Sequence, residues 1–185
     1  STFKDNSASY HGGAIYSKDL VVDNSIFDSN RVTAKSVRTS DNIYLKGLGG
    51  AIFSSNANVR NSKFNKDWVR NSGIYQIDEG GGAITVTHKL SVDHCEFTEN
   101  TGLKGGAIIA IYEQSSDLVP SNYVTITDSL FERNVAFDGG AICSNYNMTV
   151  DKSVFNQNIA TGYGGGAINS GYKSNDNYFK NSILL

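Results

Sequence analysis

The sequence predicts an all-β protein, a right-handed single-stranded parallel β-helix, or solenoid, of about seven rungs. Three recurring patterns predict it: a tetrapeptide, an aromatic residue followed three places later by asparagine, and pairs of apolar residues two places apart. Each pattern returns at intervals of between 24 and 37 residues. We therefore expect residues 1–185 to form a single β-helix repeat domain that is a fragment of a longer protein.

The tetrapeptide is Gly-Gly-Ala-Ile. Its six copies begin at Gly12, Gly49, Gly81, Gly105, Gly139 and Gly165. Paired glycines permit backbone conformations that a side chain would forbid, so each copy predicts a tight corner. The isoleucine that ends each copy is expected to line an inner wall of the rod. A phosphate-binding loop would need a Lys and a helix after the glycines, and the copies lack this pattern.

The second pattern is Phe-x-x-Asn. It occurs at Phe3, Phe27, Phe97, Phe131 and Phe155, while the copy at Phe64 ends in Asp67 and the copy at Phe179 has its asparagine one place early. One phenylalanine per rung predicts an internal ladder of stacked rings. The asparagines are expected to occupy one corner, where they tolerate left-handed backbone and bond to their counterparts one rung away.

The third pattern is an apolar pair with a polar residue between its members, at a fixed distance before each phenylalanine. The pairs are Leu20 and Val22, Ala57 and Val59, Leu90 and Val92, Val124 and Ile126, and Met148 and Val150. A period of two is typical of a strand with one buried face. A unit of about 24 residues with three short strands cannot bury that face alone, so neighbouring units must stack in parallel.

Composition excludes several classes of protein. A formal net charge of −2 gives no basic surface for nucleic acid, so no nucleic-acid partner is expected. No run approaches the roughly 20 apolar residues of a membrane-spanning helix. Cys95 and Cys143 have no Cys or His at metal-ligand spacing, so no metal or cofactor is expected. We interpret both as small residues at repeat positions, with a disulfide between rungs as the alternative.

The longer intervals between phenylalanines indicate insertions. Arg31 to Leu48 and Asp67 to Gly80 leave the same corner of two consecutive rungs, and a third insertion covers Ile109 to Tyr123. Loops on a regular scaffold often carry function, although an insertion can also cover an apolar edge. The first two insertions supply the candidate receptor-binding or glycan-binding residues, which are Tyr44, Lys46, Trp68 and Tyr75.

The alternation of Gly-Gly-Ala-Ile with Phe-x-x-Asn resembles the repeat of the polymorphic outer membrane proteins of chlamydiae. Similar repeats occur in adhesin-like surface proteins of methanogenic archaea and other microbes. The resemblance extends from Phe3 to about Asn181. It implies an extracellular, cell-surface β-helix that serves attachment, in bacteria commonly the passenger region of an autotransporter. The implied partner is a protein or glycan on a host or neighbouring cell, and end-to-end association of rods is left open.

Two other functions are compatible with a β-helix. Enzymes that cleave acidic polysaccharides use this fold, but they need clustered carboxylates. Here Asp23, Asp93, Asp128 and Asp151 are expected to form a polar stripe on the strand exterior, and His11, His88 and His94 do not cluster. We therefore expect no catalytic residues. A purely structural surface spacer is the third hypothesis.

Overall fold

The computed structural model describes residues 1–35, 47–72, 80–111, 123–162, 164–170, 177–180 and 182–184. Within these ranges the chain forms β-strands and no helix. The strands are β1 (Thr2–Lys4), β2 (Ser7–Ala8), β3 (Ile15–Asp23), β4 (Ile26–Asp28), β5 (Arg31–Lys35), β6 (Ile52–Arg60), β7 (Lys63–Asn65), β8 (Trp68–Ser72), β9 (Ile84–Asp93), β10 (Glu96–Thr98), β11 (Ile108–Ala110), β12 (Tyr123–Thr127), β13 (Leu130–Glu132), β14 (Val135–Ala136), β15 (Ile142–Ser144), β16 (Asn147–Asp151), β17 (Val154–Asn156), β18 (Ile159–Ala160), β19 (Ile168–Ser170), β20 (Asn177–Lys180) and β21 (Ile183–Leu184). They pair in parallel, as the predicted parallel β-helix requires.

The phenylalanine strands form one wall of the rod. This wall is a seven-stranded sheet in the order β1-β4-β7-β10-β13-β17-β21, one strand per rung. The six rings from Phe3 to Phe155 stack in register, with centroids 4.6 to 4.8 Å apart and planes within 6°. The five rings from Phe27 onward are at most 1 % exposed. The predicted phenylalanine ladder is therefore confirmed for these six rungs.

The prediction that Phe179 continues this ladder is wrong. Phe179 lies on β20 opposite Val150, and it is 48 % exposed. Leu184 of β21 instead stands opposite Phe155. The prediction failed because the last rung is longer than the 24-residue repeat. At an interval of 24 residues, the sequence has an aromatic residue that belongs to the neighbouring strand.

A nine-stranded sheet forms the second wall. In the first three rungs the isoleucine strand and the apolar-pair strand are continuous, as β3, β6 and β9, whereas later rungs divide them into two strands. The six tetrapeptide isoleucines are in register, and the middle four, Ile52, Ile84, Ile108 and Ile142, are fully buried. The apolar pairs also align, so this inner wall is confirmed.

The third wall follows the asparagine corner and is called the corner sheet below. It contains β2, β5 and β8, then β14 and β18, and Thr101 joins the two groups through single bridges to Trp68 and Val135. The predicted insertions starting at Arg31 and Asp67 therefore begin too early, because β5 and β8 are paired strands of the rung. No repeated residue type marks this wall, which is why spacing alone assigned it to the insertions.

The paired glycines bring successive rungs into close backbone contact. At Gly106 a side-chain Cβ would lie 2.1 Å from the carbonyl oxygen of Gly140 in the next rung. Gly105 has φ +67°, a conformation that favours glycine. At this copy the predicted tight corner thus has two causes, a left-handed first glycine and a second glycine that leaves no room for a methyl group.

Left-handed backbone also marks the phenylalanine corner, but one residue earlier than predicted. The residues with positive φ are those directly before the asparagine position: Asp5, Ser29, Lys66, Glu99, Arg133 and Gln157. The asparagines themselves serve the other predicted role, that of bonding from rung to rung. Their side chains can make these bonds because the preceding residue turns the chain.

Candidate functional site

The corner sheet alternates inward and outward side chains. On β8, Val69 is 4 % exposed, whereas Trp68 is partly exposed and Arg70 is exposed. Val32 on the neighbouring strand β5 is buried beside Val69. This period of two anchors β8 in the core and leaves Trp68 and Arg70 on the outer surface of the rod.

A groove of about 560 Å³ runs along this surface. It is lined by Lys66 and residues 68–70 of the third rung, and by Glu99 and residues 101–103 of the fourth. The Arg70 guanidinium carbon lies 5.8 Å from the centre of the Trp68 ring. The groove therefore combines an aromatic face with a cation held over it.

Charged side chains line the rim of the groove. The Nζ of Lys66 lies 3.8 Å from the Oε2 of Glu99, and the Oε1 of Glu99 lies 3.2 Å from a guanidinium nitrogen of Arg133. All three side chains are between 41 % and 59 % exposed. Exposed pairs of this kind contribute little stability, so the same groups can turn to a ligand at small cost.

Asp67 lies between the groove residues Lys66 and Trp68 in the chain and is fully buried. It occupies the asparagine position of the third rung, and its Oδ1 accepts bonds from the backbone N and the Nδ2 of Asn30, at 2.8 and 2.9 Å. Burial raises the pKa of Asp67 to about 7, against the opposing effect of the bonds from Asn30. A polar ladder thus connects the groove floor to the rungs on either side.

Trp68 alone among the predicted binding residues lies within the described part of the chain. The structure places it on a paired strand and not in a projecting loop. Tyr44, Lys46 and Tyr75 lie outside the described residues. Their participation in the same site stays a prediction.

The sequence reasoning missed Lys66 and Arg70. Arg70 follows Trp68 by two places, so strand alternation would have put both on one face. Lys66 is the third residue of a Phe-x-x-Asn element, a position that varies between rungs and was treated as part of the scaffold. Finding Arg70 therefore required β8 to be recognised as a strand.

Another aromatic ring with a cation near its face lies on the nine-stranded sheet. Tyr123 is 48 % exposed, and the Nζ of Lys89 lies 5.6 Å from its ring centre. This arrangement resembles Trp68 with Arg70 in chemistry but belongs to a different wall of the rod. Tyr123 is therefore a matched control for experiments on Trp68.

The polar stripe on the strand exterior, which was predicted from its acids, contains basic residues as well. Asp23, Asp93 and Asp151 share one register column with Arg60 and Lys180, and Asp23 pairs with Arg60 at 3.2 Å. Asp128 does not belong to that column, because it lies one residue past the strand, in the left-handed corner. This part of the prediction is wrong, since the strand ends before Asp128.

Asp93, His94 and Asp128 nevertheless approach one another. The carboxylate oxygens of the two acids and a ring nitrogen of the histidine lie within 4.8 Å of one another, at a partly exposed corner. The hydroxyl of Thr127 donates to Asp93, and this bond and His94 hold the pKa of Asp93 below its usual range. Asp93 in turn raises the pKa of His94. The contacts thus favour an ion pair between Asp93 and His94.

Cys95 lies in a ladder of serines, in agreement with its interpretation as a repeat position. The ladder positions are Ser25, Ser62, Cys95, Ser129, Ser153 and Ser182. Cys143 belongs to a separate buried cluster with Leu48, Phe53, Ile109 and Ile111. The two cysteines are therefore on different parts of the rung, which disfavours the alternative of a disulfide between them.

Comparison with known families identifies the type of repeat at the start of the chain. The family model of the Chlamydia polymorphic membrane protein repeat matches residues 1–18. This segment contains the first Phe-x-x-Asn element and the first Gly-Gly-Ala-Ile copy, so the predicted repeat type is confirmed there. Comparisons with curated proteins and with solved structures found no match. The repeat match supports an outer-membrane or surface location.

The described ranges contain no helix that is long and apolar enough to span a bilayer.

Proposed function

We propose that this chain is a non-catalytic adhesin module at a cell surface, and that the groove around Trp68 binds a glycan or receptor of a host or neighbouring cell. The observation that carries the proposal is the pairing of Trp68 with Arg70 in a groove of about 560 Å³ on the outside of the rod. The match to a membrane-protein repeat supports display at the surface.

A saccharide is the favoured ligand class. The Trp68 ring offers an apolar face on which a sugar ring can stack, and Lys66 and Arg70 offer donors for hydroxyl or carboxylate oxygens. The groove volume lies in the range of small-ligand sites, about 300 to 1,000 Å³. A stable protein partner would need about 800 Å² of surface on each side, which extends well beyond this groove.

The arrangement of acids supports binding over hydrolysis. Glycosidases use two carboxyl groups that flank the scissile bond at about 5 to 9.5 Å. Among the described residues that line the groove, Glu99 is the one acid, and it is paired with Lys66 and Arg133. Asp67 lies below the surface, within the ladder.

The direct test compares Trp68→Ala with Tyr123→Ala on an array of neutral, sialylated and uronate-containing glycans and on epithelial cells. We expect Trp68→Ala to lose at least about tenfold in binding, as expected for a tryptophan at a binding hot spot. Tyr123→Ala should bind like the wild type. If a folded Trp68→Ala protein binds as strongly as the wild type, the groove is not the binding site.

One further assay distinguishes an adhesin from the two other candidate functions, a polysaccharide-cleaving enzyme and a structural spacer. The protein is incubated with acidic polysaccharides, and new reducing or unsaturated ends are measured. An adhesin binds without producing ends, an enzyme produces them, and a structural spacer neither binds nor produces them. New ends that disappear in a Glu99→Gln variant would overturn the non-catalytic assignment.

A further inference from the structure

The asparagine ladder has a regular pattern of hydrogen bonds. In its regular rungs the Oδ1 accepts from the backbone N and the Nδ2 of the preceding rung, and the Nδ2 donates to a phenylalanine carbonyl. Asn100 shows the donor half: its Nδ2 is 3.1 Å from the carbonyl oxygen of Phe64 and 2.9 Å from the Oδ1 of Asn134. Asn30 and Asn134 repeat this double donation. Each amide nitrogen therefore faces two acceptors.

Asp67 keeps the acceptor half of this pattern and lacks the donor half. Its Oδ1 accepts both bonds from Asn30, and its backbone N donates to the Oδ1 of Asn100 at 2.9 Å. Its Oδ2 is buried and has no hydrogen-bond partner within the part of the chain that the structure describes. By register, Oδ2 occupies the place of an amide nitrogen, where the carbonyl of Phe27 and the Oδ1 of Asn100 are the acceptors.

A buried carboxylate oxygen beside two acceptors is unfavourable, because no donor replaces the water that it has lost. A neutral carboxyl group carries one O–H, which can donate to one of the two oxygens. We propose that Asp67 is a proton-operated positioning residue. When its carboxyl group is neutral, the O–H donates a hydrogen bond that completes the ladder beneath Trp68. When the proton is lost, this bond is lost and the ladder is interrupted at that rung.

The surrounding charges favour the neutral acid. Asp28 of the preceding rung acts to raise the pKa of Asp67, although its own charge is balanced by Lys4 at 3.0 Å. Lys66 and Glu99 flank the corner in solvent, and Arg31 begins the adjoining strand. Among the described residues, no cation lies within ion-pair distance of the Asp67 carboxyl group. The two bonds from Asn30 favour its charged form, but burial outweighs them.

The ladder is linked to the groove through the main chain. The N–H of Trp68 donates to the carbonyl of Asn30 at 2.9 Å, and the N–H of Thr101 donates to the carbonyl of Asp67 at 3.0 Å. Both bonds join ladder residues to groove residues. Opening the ladder at Asp67 therefore moves the floor of the groove, and any effect of this on ligand binding rests on the proposed function.

The direction of the pH dependence follows from linkage. The pKa of Asp67 in the folded protein, about 7, lies above its ordinary value of 3.8. The folded state therefore holds a proton that the unfolded state releases, and stability falls as the pH rises between these two values. The loss is complete above the folded pKa and absent below the ordinary one.

The test compares the wild type with Asp67→Asn, which restores the amide of the regular ladder. Trp68 is the one tryptophan of the chain, so its emission reports on this corner. We expect the wild-type emission to titrate with a midpoint near the folded pKa, about 7, and the wild-type melting temperature to fall as the pH rises from 3.8 to about 7. Both curves should be flatter for Asp67→Asn. The matched variant Asn100→Asp adds an acid to the ladder one rung further on. It should introduce a second titration in the emission and melting curves.

Carboxyl ¹³C NMR of the wild-type protein gives a second measurement that needs no variant. An Asp67 carboxyl signal that titrates near its ordinary value of 3.8 would overturn the proposal, as would parallel pH curves for the wild type and Asp67→Asn. All of these readouts are made without ligand. A failure here is therefore distinguishable from a failure of Trp68 to bind glycans.

Discussion

Cys95 illustrates how a chemically reactive residue can serve as a structural replacement. Its Sγ lies 3.2 Å from the carbonyl oxygen of Asp93, two residues earlier, just as the Oγ of Ser62 lies 2.7 Å from that of Arg60. Burial raises the pKa of the Cys95 thiol to about 11. The repeat position was predictable from the sequence, because serine stands two places before the phenylalanine in the neighbouring rungs. The hydrogen-bonding role was not, because spacing alone does not show which carbonyl a side chain contacts.

Replacing Cys95 by serine should therefore change the free energy of unfolding by less than about 1 kcal/mol, since the hydroxyl makes the same bond. The thiol of Cys95 should also react slowly with alkylating reagents, because little thiolate exists near neutral pH. Urea denaturation and mass spectrometry of the labelled peptides measure both effects. Equal labelling rates for Cys95 in folded and unfolded protein would contradict this account.

The phenylalanine ladder makes a second prediction at the scale of single residues. Phe97 is fully buried between two stacked rings, whereas Phe179 is 48 % exposed and lies outside the ladder. Phe97→Ala should cost about 3 to 5 kcal/mol. Phe179→Ala is the matched control and should cost less than about 1 kcal/mol. Similar losses from the two variants in denaturant unfolding would show that the ladder is assigned wrongly.

The separate elements of a rung differ in how well the sequence predicts them. The isoleucine wall and the phenylalanine wall follow from repeated apolar residues, and both are confirmed. The corner sheet was missed because its outward residues, such as Arg31, Trp68 and Thr101, share no residue type. Tertiary pairing with neighbouring rungs, and not local pattern, makes these short segments into strands.

The glycine corner gives a prediction for one element. Gly106→Ala should lower the free energy of unfolding by at least about 2 kcal/mol, because the new methyl group would lie 2.1 Å from the carbonyl oxygen of Gly140. Gly166→Ala is the matched control at the same motif position, where the nearest atom is 3.4 Å away. Thermal unfolding of the two variants checks this difference. Equal destabilisation would show that the close contact between rungs is not the cause.

The whole molecule is a stack of rungs in which each wall depends on its neighbours. Sequence intervals predicted the number of rungs and the direction of pairing, because the repeated apolar residues must be buried by stacking. They did not predict the groove, since Trp68 and Arg70 lie outside the repeated motifs and Lys66 occupies a variable position within one. The one ladder position where an acid replaces asparagine, Asp67, lies beneath that groove.

Isotope-edited NMR of phenylalanine-labelled protein tests the assignment of residues to rungs most directly. Adjacent rings whose centroids are 4.6 to 4.8 Å apart should give an unbroken series of nuclear Overhauser contacts from Phe3 through Phe27, Phe64, Phe97 and Phe131 to Phe155. No contact should join Phe155 to Phe179, which lies on another strand. A contact between Phe155 and Phe179, or a break between Phe64 and Phe97, would contradict the account.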